Sequence, residues 1–123
     1  MNKQMLITHI PNINVFKEYL LNNPGIIIIK FGADWCQPCK RIDKQVINSM
    51  NQMPPTVQNM ILNIDDSFEL YAFFKNKKMV NGIPAILCFY KGNTTFVPDD
   101  SVLGADANQI TLFFTRCYKK VTQ

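Results

Sequence analysis

Two cysteines with two residues between them, Cys36 and Cys39 in Ala33-Asp34-Trp35-Cys36-Gln37-Pro38-Cys39-Lys40, are the side chains whose spacing points most directly to chemistry. A bare C-x-x-C pair has two readings, thiol–disulfide exchange or half of a metal or cluster site. Context separates them. The preceding run, Ile26 to Phe31, is β-branched and apolar nearly throughout, as in strands buried on both faces. After the pair, Ile42, Val46, Ile47 and Met50 recur at helical spacing. The pair therefore falls at a strand-to-helix junction, with the first sulfur at a helix N-terminus. Unpaired N–H groups and the helix dipole favour a thiolate there, and the thiolate is the nucleophile in exchange. The second sulfur lies within the first helical turn, close enough to close a disulfide with little movement. Pro38 suits that turn, where its missing N–H has no helical partner.

The elements that must position this junction show in the changing period of the apolar pattern. Met5 to Ile10 is expected as a first strand ended by Pro11. Asn14 is expected to cap a helix with Val15, Phe16, Tyr19 and Leu20 on one face, stopped by Asn22 to Gly25. The Cys36 helix should end at Pro54 and Pro55, before a strand at Val57 to Ile64. Ser67 would cap a helix to about Asn76. Pro84 to Tyr90 reads as another buried strand, followed by a Lys91-Gly92-Asn93 turn and a short strand at Thr94 to Val97. A last helix runs from about Ala107 to Lys119, with Ile110, Phe113, Phe114, Cys117 and Val121 in its apolar stripe. The order β-α-β-α-β-α-β-β-α implies an α/β fold with a mixed central β-sheet and helices on both faces. Length suits a single domain over residues 1–123 with a core that needs no metal or disulfide staple.

The net charge of +4 aids solubility and does not signal nucleic-acid binding. The basic stretches Lys75, Lys77, Lys78 and Arg116, Lys119, Lys120 read as solvated helix faces. The longest apolar run, Ile26 to Ile29, is too short to span a bilayer, and Met1 to Pro11 lacks an extended apolar export segment. A soluble cytoplasmic protein is the expectation, and in a reducing compartment a close cysteine pair is better read as redox-active or metal-binding. Cys88, in the run Ala85 to Phe89, and Cys117 are expected to pack as small hydrophobes. No role is assigned to His9, the one histidine. Phe73, Phe74, Phe113 and Phe114 are expected in or near the core. Asp65 and Asp66 should end a strand and begin a turn, and Lys40 and Arg41 should be solvated.

Taken together, the motifs resemble those of the thioredoxin family, in order and over nearly the whole chain. Trp35-Cys36-Gln37-Pro38-Cys39-Lys40 is similar to the family's active-site motif, with Gln37 where glycine is usual. Phe31 and Ala33 match as well. Leu62-Asn63-Ile64-Asp65 resembles its third strand, Gly82-Ile83-Pro84 its cis-proline loop, and Gly92 and Gly104 two structural glycines. The resemblance implies a thioredoxin-like fold and a set of roles. Cys36 would be the attacking thiolate and Cys39 the buried resolving thiol. Trp35 would flank the site, Pro84 would be cis and face the sulfurs, and Ile83 would offer backbone groups to an extended substrate. It also implies disulfide-containing protein substrates, an external reductase, no bound cofactor or metal, and a monomer.

Two coupled positions depart from the family. Lys30 stands where a buried aspartate is usual, and Ile61 where that aspartate has a lysine neighbour. A charged Lys30 would favour thiolates and make the disulfide more oxidising, a neutral one could act as a base, and a snorkelling one would do neither. Lys30→Asp is then expected to lower the reduction potential. Lys44 replaces a helix-kinking proline, so a straighter second helix is expected. The leading function is reduction of protein disulfides. The alternatives are an oxidase or isomerase, a docking module with secondary redox activity, and metal binding shared between subunits.

Overall fold

The computed structural model describes residues 4–123. Four strands form one sheet in the order β2-β1-β3-β4. β1 (Ile26–Gly32) is buried along its whole length and lies between β2 (Val57–Asn63) and β3 (Ala85–Tyr90). It runs parallel to β2, with Lys30 beside Ile61, and antiparallel to β3, with Lys30 beside Ile86. β4 (Asp100–Leu103) closes the edge antiparallel to β3. A strand covered on both faces has no place for alternating polar residues, which is why β1 reads as an isoleucine run.

The helices divide between the faces. α1 (Ile13–Leu21) and α3 (Phe68–Asn76) cover one side, where Phe16, Leu20, Leu70 and Phe74 meet Ile27, Ile29 and Phe31. α2 (Gln37–Asn51) and α4 (Ala107–Val121) cover the other, where Ile42, Val46, Phe113 and Cys117 meet Ile26, Ile28 and Cys88. Successive side chains of a strand alternate between faces. Lys30, in step with Ile26 and Ile28, therefore points toward α2. α2 continues without interruption through Lys44.

Five local expectations are corrected. Met5 to Ile10 is not a strand: one parallel bridge joins Ile7 to Met60, and the buried Ile10 N–H donates to Ser67 Oγ (3.0 Å) rather than to a ladder. That bond also takes Ser67 Oγ away from capping α3, although Ser67 is the residue at its N-cap. The cap of α1 is Asn12, not Asn14, and its side chain accepts from the Val15 N–H (2.9 Å). Ile47 is exposed rather than part of the buried face of α2, which carries Cys39, Ile42, Val46 and Met50.

The last correction concerns Thr94 to Val97, which folds back instead of extending. Asn93 Oδ1 accepts from Thr95, its Nδ2 donates to the Val97 carbonyl and Asp99, and Phe96 takes a positive φ of 67° while packing, partly buried, against the core. Side-chain bonds of this kind compete with a sheet ladder. The edge strand falls instead at Asp100–Leu103.

Candidate active site

The site is assembled from the C-terminal end of β1, the first turn of α2 and the loop before β3. Cys36 is the N-cap residue of α2, in extended conformation, and Pro38 lies in the first turn. A helix begins with N–H groups that have no internal partner. Here the Cys39 N–H donates to Cys36 Sγ (3.2 Å), so sulfur occupies the place of a capping oxygen. Such a donor stabilises a thiolate more than a thiol. Cys36 and Cys39 are joined by a disulfide, their Cα atoms 5.3 Å apart.

Across from the pair, the Ile83–Pro84 peptide bond is cis. The Ile83 carbonyl oxygen lies 4.0 Å from Cys36 Sγ, and the Ile83 side chain packs against the small apolar group formed by Ala33, Cys36 and Cys39. The Pro84 carbonyl accepts from the Gly104 N–H (2.9 Å), which ties the loop to the residue after β4. Gly104 has a φ of +95°, a conformation that disfavours a side chain. Trp35 projects 64% exposed beside the sulfurs, and its indole N–H donates to Asp65 (3.1 Å). Gln37 and Pro38 are exposed on the rim, whereas Cys36 and Cys39 are buried. The sequence-derived residues Cys36, Cys39, Ile83 and Pro84 thus converge, with Trp35 alongside.

Lys30 lies beneath. Its side chain is only 5% exposed, and Nζ forms an ion pair with Asp43 Oδ1 at 2.6 Å. It does not snorkel to solvent. A methyl group on Gly32 would lie 2.7 Å from Lys30 Nζ and 3.5 Å from Cys39 Sγ, so the amine and the second sulfur border one small space. Asp43 is not singled out by the sequence, and Asp65 is expected there only as a turn residue, without its contact to Trp35. Asp43 had a signal, since it follows Cys39 by four positions and so shares a helix face with it. Asp65 had none, because its contact with Trp35 joins residues 30 positions apart.

Cys88 and Cys117 lie in the core between β3 and α4, as expected. Among the described residues, no group of three or more His, Cys, Asp or Glu is placed to hold a metal ion, and no helix is long and apolar enough to cross a membrane.

A mixed four-stranded sheet with two helices on each face and a C-x-x-C pair capping the helix after the central strand defines the thioredoxin-like class. A sequence model of the thioredoxin family matches residues 6–115, and the chain belongs to that family. The chloroplastic M-type thioredoxin of Brassica napus is 32% identical over 100 residues, covering 80% of this chain and 52% of that protein. Thioredoxin 3 of Plasmodium falciparum is 27% identical over 95 residues, covering 76% of this chain and 49% of that protein. The chain thus spans about half the length of these two relatives. In structure, a crystallised Plasmodium falciparum thioredoxin superposes with a TM-score of 0.71 at 23% identity, over 96% of this chain and 90% of that one, which supports the fold.

Proposed function

We propose that the chain is a thiol–disulfide oxidoreductase, one thioredoxin domain over residues 1–123, that reduces disulfides in proteins. The observation that carries this reading is the position of Cys36 Sγ: it caps α2, accepts the Cys39 N–H, and lies 4.0 Å from the Ile83 carbonyl at the edge of an exposed surface. In the reduced protein, the Cys36 thiolate attacks one sulfur of a substrate disulfide. A mixed disulfide forms, and the other substrate sulfur leaves as a thiolate that takes up a proton. Cys39 then loses its proton and attacks Cys36 Sγ. The mixed disulfide breaks, the second substrate thiolate leaves, and the protein holds the Cys36–Cys39 bond. Two electrons have passed to the substrate, and an external reductase must return them. Trp35, Ile83 and Pro84 form the surface that an extended substrate segment would meet, with backbone pairing at Ile83. This reading carries the expectation of a monomer working in a reducing, aqueous compartment such as the cytoplasm, with no nucleic-acid or membrane partner.

One observation favours the reverse direction as a second reading. A Lys30 ammonium that borders the same small space as Cys39 Sγ stabilises the reduced, thiolate-bearing form and so makes the disulfide a stronger oxidant, as an oxidase or isomerase requires. The test is the reduction potential of Cys36–Cys39, measured by alkylation after equilibration in dithiothreitol or glutathione buffers. A value near about −270 mV, that of thioredoxin itself, supports a reductase, and one near about −180 mV or above supports an isomerase or oxidase. Cys39→Ser should accumulate a mixed disulfide through Cys36, visible as an added mass. Failure of the natural pair to form a disulfide would overturn both readings and leave docking or metal binding.

A further inference from the structure

The proton and charge chemistry of Cys39 depends on what lies beneath it, and the structure puts an unusual pair there. Lys30 is a buried cation on the central strand, surrounded in the sheet by Ile61 and Ile86. Its bonded partner is Asp43, one helical turn beyond Cys39 on α2. The two members differ in exposure: the lysine side chain is 5% exposed and the aspartate 47%. Both members line an open cleft of about 690 Å³; the ammonium also borders the small space beside the second sulfur, whereas the carboxylate is half exposed to solvent. That cleft is also bordered by His9, Asp34, Lys40 and Asp66, so water reaches the carboxylate.

An isolated ammonium is costly to bury. Without a carboxylate, the Lys30 amine would have no bonded partner there and would swing out through the cleft, carrying the positive charge away from Cys39. Asp43 removes that route, because its bond holds Nζ at the small space it shares with Cys39 Sγ.

We propose that Asp43 is a positioning residue for the redox centre: it holds the Lys30 ammonium beside Cys39, and the Lys30–Asp43 pair acts as one unit that stabilises the reduced, thiolate-bearing form. The inference rests on the exchange activity proposed above. It has a sign that separates it from the simpler idea that Asp43 only neutralises Lys30. If Asp43 neutralised, its removal would unmask a positive charge and make the disulfide more oxidising. If Asp43 positions, its removal takes the charge away and makes the disulfide less oxidising.

The experiment is the equilibrium of the full chain with dithiothreitol, read by alkylation, for Asp43→Asn, Lys30→Met, the double variant and Asp43→Glu. Lys30→Met is a cleaner probe than Lys30→Asp, which would set two carboxylates against each other. Both Asp43→Asn and Lys30→Met should shift the equilibrium toward the protein disulfide by about tenfold, equivalent to about 30 mV for two electrons. The double variant should shift no further than Lys30→Met, and Asp43→Glu should restore most of the original value. An unchanged equilibrium in Asp43→Asn, or a shift toward the dithiol, overturns the proposal. If Asp43→Asn does not fold, the double variant is read against Lys30→Met, because with both charges removed no buried charge is left unpaired. A double variant that differs from Lys30→Met would mean that Asp43 acts on the sulfurs directly, which also overturns it. If the unsubstituted protein shows no dithiol–disulfide equilibrium, the exchange activity itself falls and the proposal falls with it. A normal equilibrium that ignores Asp43 removes only this inference.

Discussion

The molecule holds two pairs of neighbouring cysteines, and exposure does not distinguish them. Cys36 and Cys39 are 5% and 1% exposed, Cys88 and Cys117 0% and 1%. Their surroundings differ instead. Cys36 Sγ meets a helix-start N–H, and Cys39 shares a small space with an ammonium. Cys88 sits mid-strand on β3 among Ile26, Ile28, Ile110 and Phe113, with Cys117 of α4 opposite. The Cys88 thiol is pushed far above its ordinary value, first by its hydrogen bond with Cys117 and then by burial. One pair is buried against groups that favour negative sulfur, and the other against groups that do not. Reactivity follows from the dipoles facing the sulfur, since the thiolate is the reacting species.

The largest effect that sharpens this contrast is a comparison of single substitutions. Cys36→Ser should abolish reduction of a model protein disulfide, because a serine hydroxyl is not ionised near neutral pH. Cys88→Ala should keep the activity and cost on the order of 1 kcal/mol of stability, the usual scale for removing a small buried group. Denaturant unfolding alongside a turnover assay reads both. An active Cys36→Ser, or an inactive but folded Cys88→Ala, would break the comparison.

A smaller effect concerns alkaline pH. Unfolded Cys88 ionises around its ordinary value of 9.0, whereas in the native core it keeps its proton. Its contribution to stability is therefore complete below that pH. As pH rises above it, the unfolded state sheds a proton that the native state retains, and stability falls by up to about 1.4 kcal/mol per pH unit. Cys88→Ala should flatten this alkaline limb between about pH 8 and 10. The tyrosines at 71 and 90 are shifted in the same direction from 10.0, so their share enters higher. An identical slope in the variant would mean that the native thiol ionises as readily as the unfolded one.

Legibility in the sequence followed the same physical divide. β1 was readable because burial on both faces leaves only apolar choices, and the lysine that breaks the run marked a departure worth following. The cysteines, Trp35 and Pro84 were readable because their order along the chain carries the family pattern. β4 was not, since Asp100–Leu103 is a four-residue edge with one buried side chain, Val102, held by its pairing with Ile86 rather than by any pattern. Thr94 to Val97 misled because its composition suits a strand while Asn93 supplies competing bonds. The Lys30–Asp43 pair was legible only in halves. Its joining requires the parity of β1 to meet the turn of α2, a fact of three-dimensional register.

That register also defines the smallest and most selective perturbation. Gly32 has no side chain where one would meet Lys30 Nζ at 2.7 Å, a distance a real methyl group does not tolerate. The next atoms are Lys30 Cε at 3.2 Å and Cys39 Sγ at 3.5 Å, so the flexible end of the lysine, not the sulfur, must yield. Gly32 is a strand residue whose carbonyl accepts from the Ile64 N–H (2.9 Å), and alanine keeps that bond. Gly32→Ala should therefore leave the fold and both cysteine pairs in place while moving the ammonium away from Cys39. The expected result is a shift toward the disulfide of roughly threefold, smaller than for loss of the charge itself and in the same direction, about 15 mV for two electrons. Combined with Lys30→Met, the alanine should add nothing, because its effect passes through a group that is no longer there. A full additional shift in the combined variant would mean that Gly32 governs the sulfurs through the backbone, and the active pair would then owe its difference from Cys88 and Cys117 to the helix start alone.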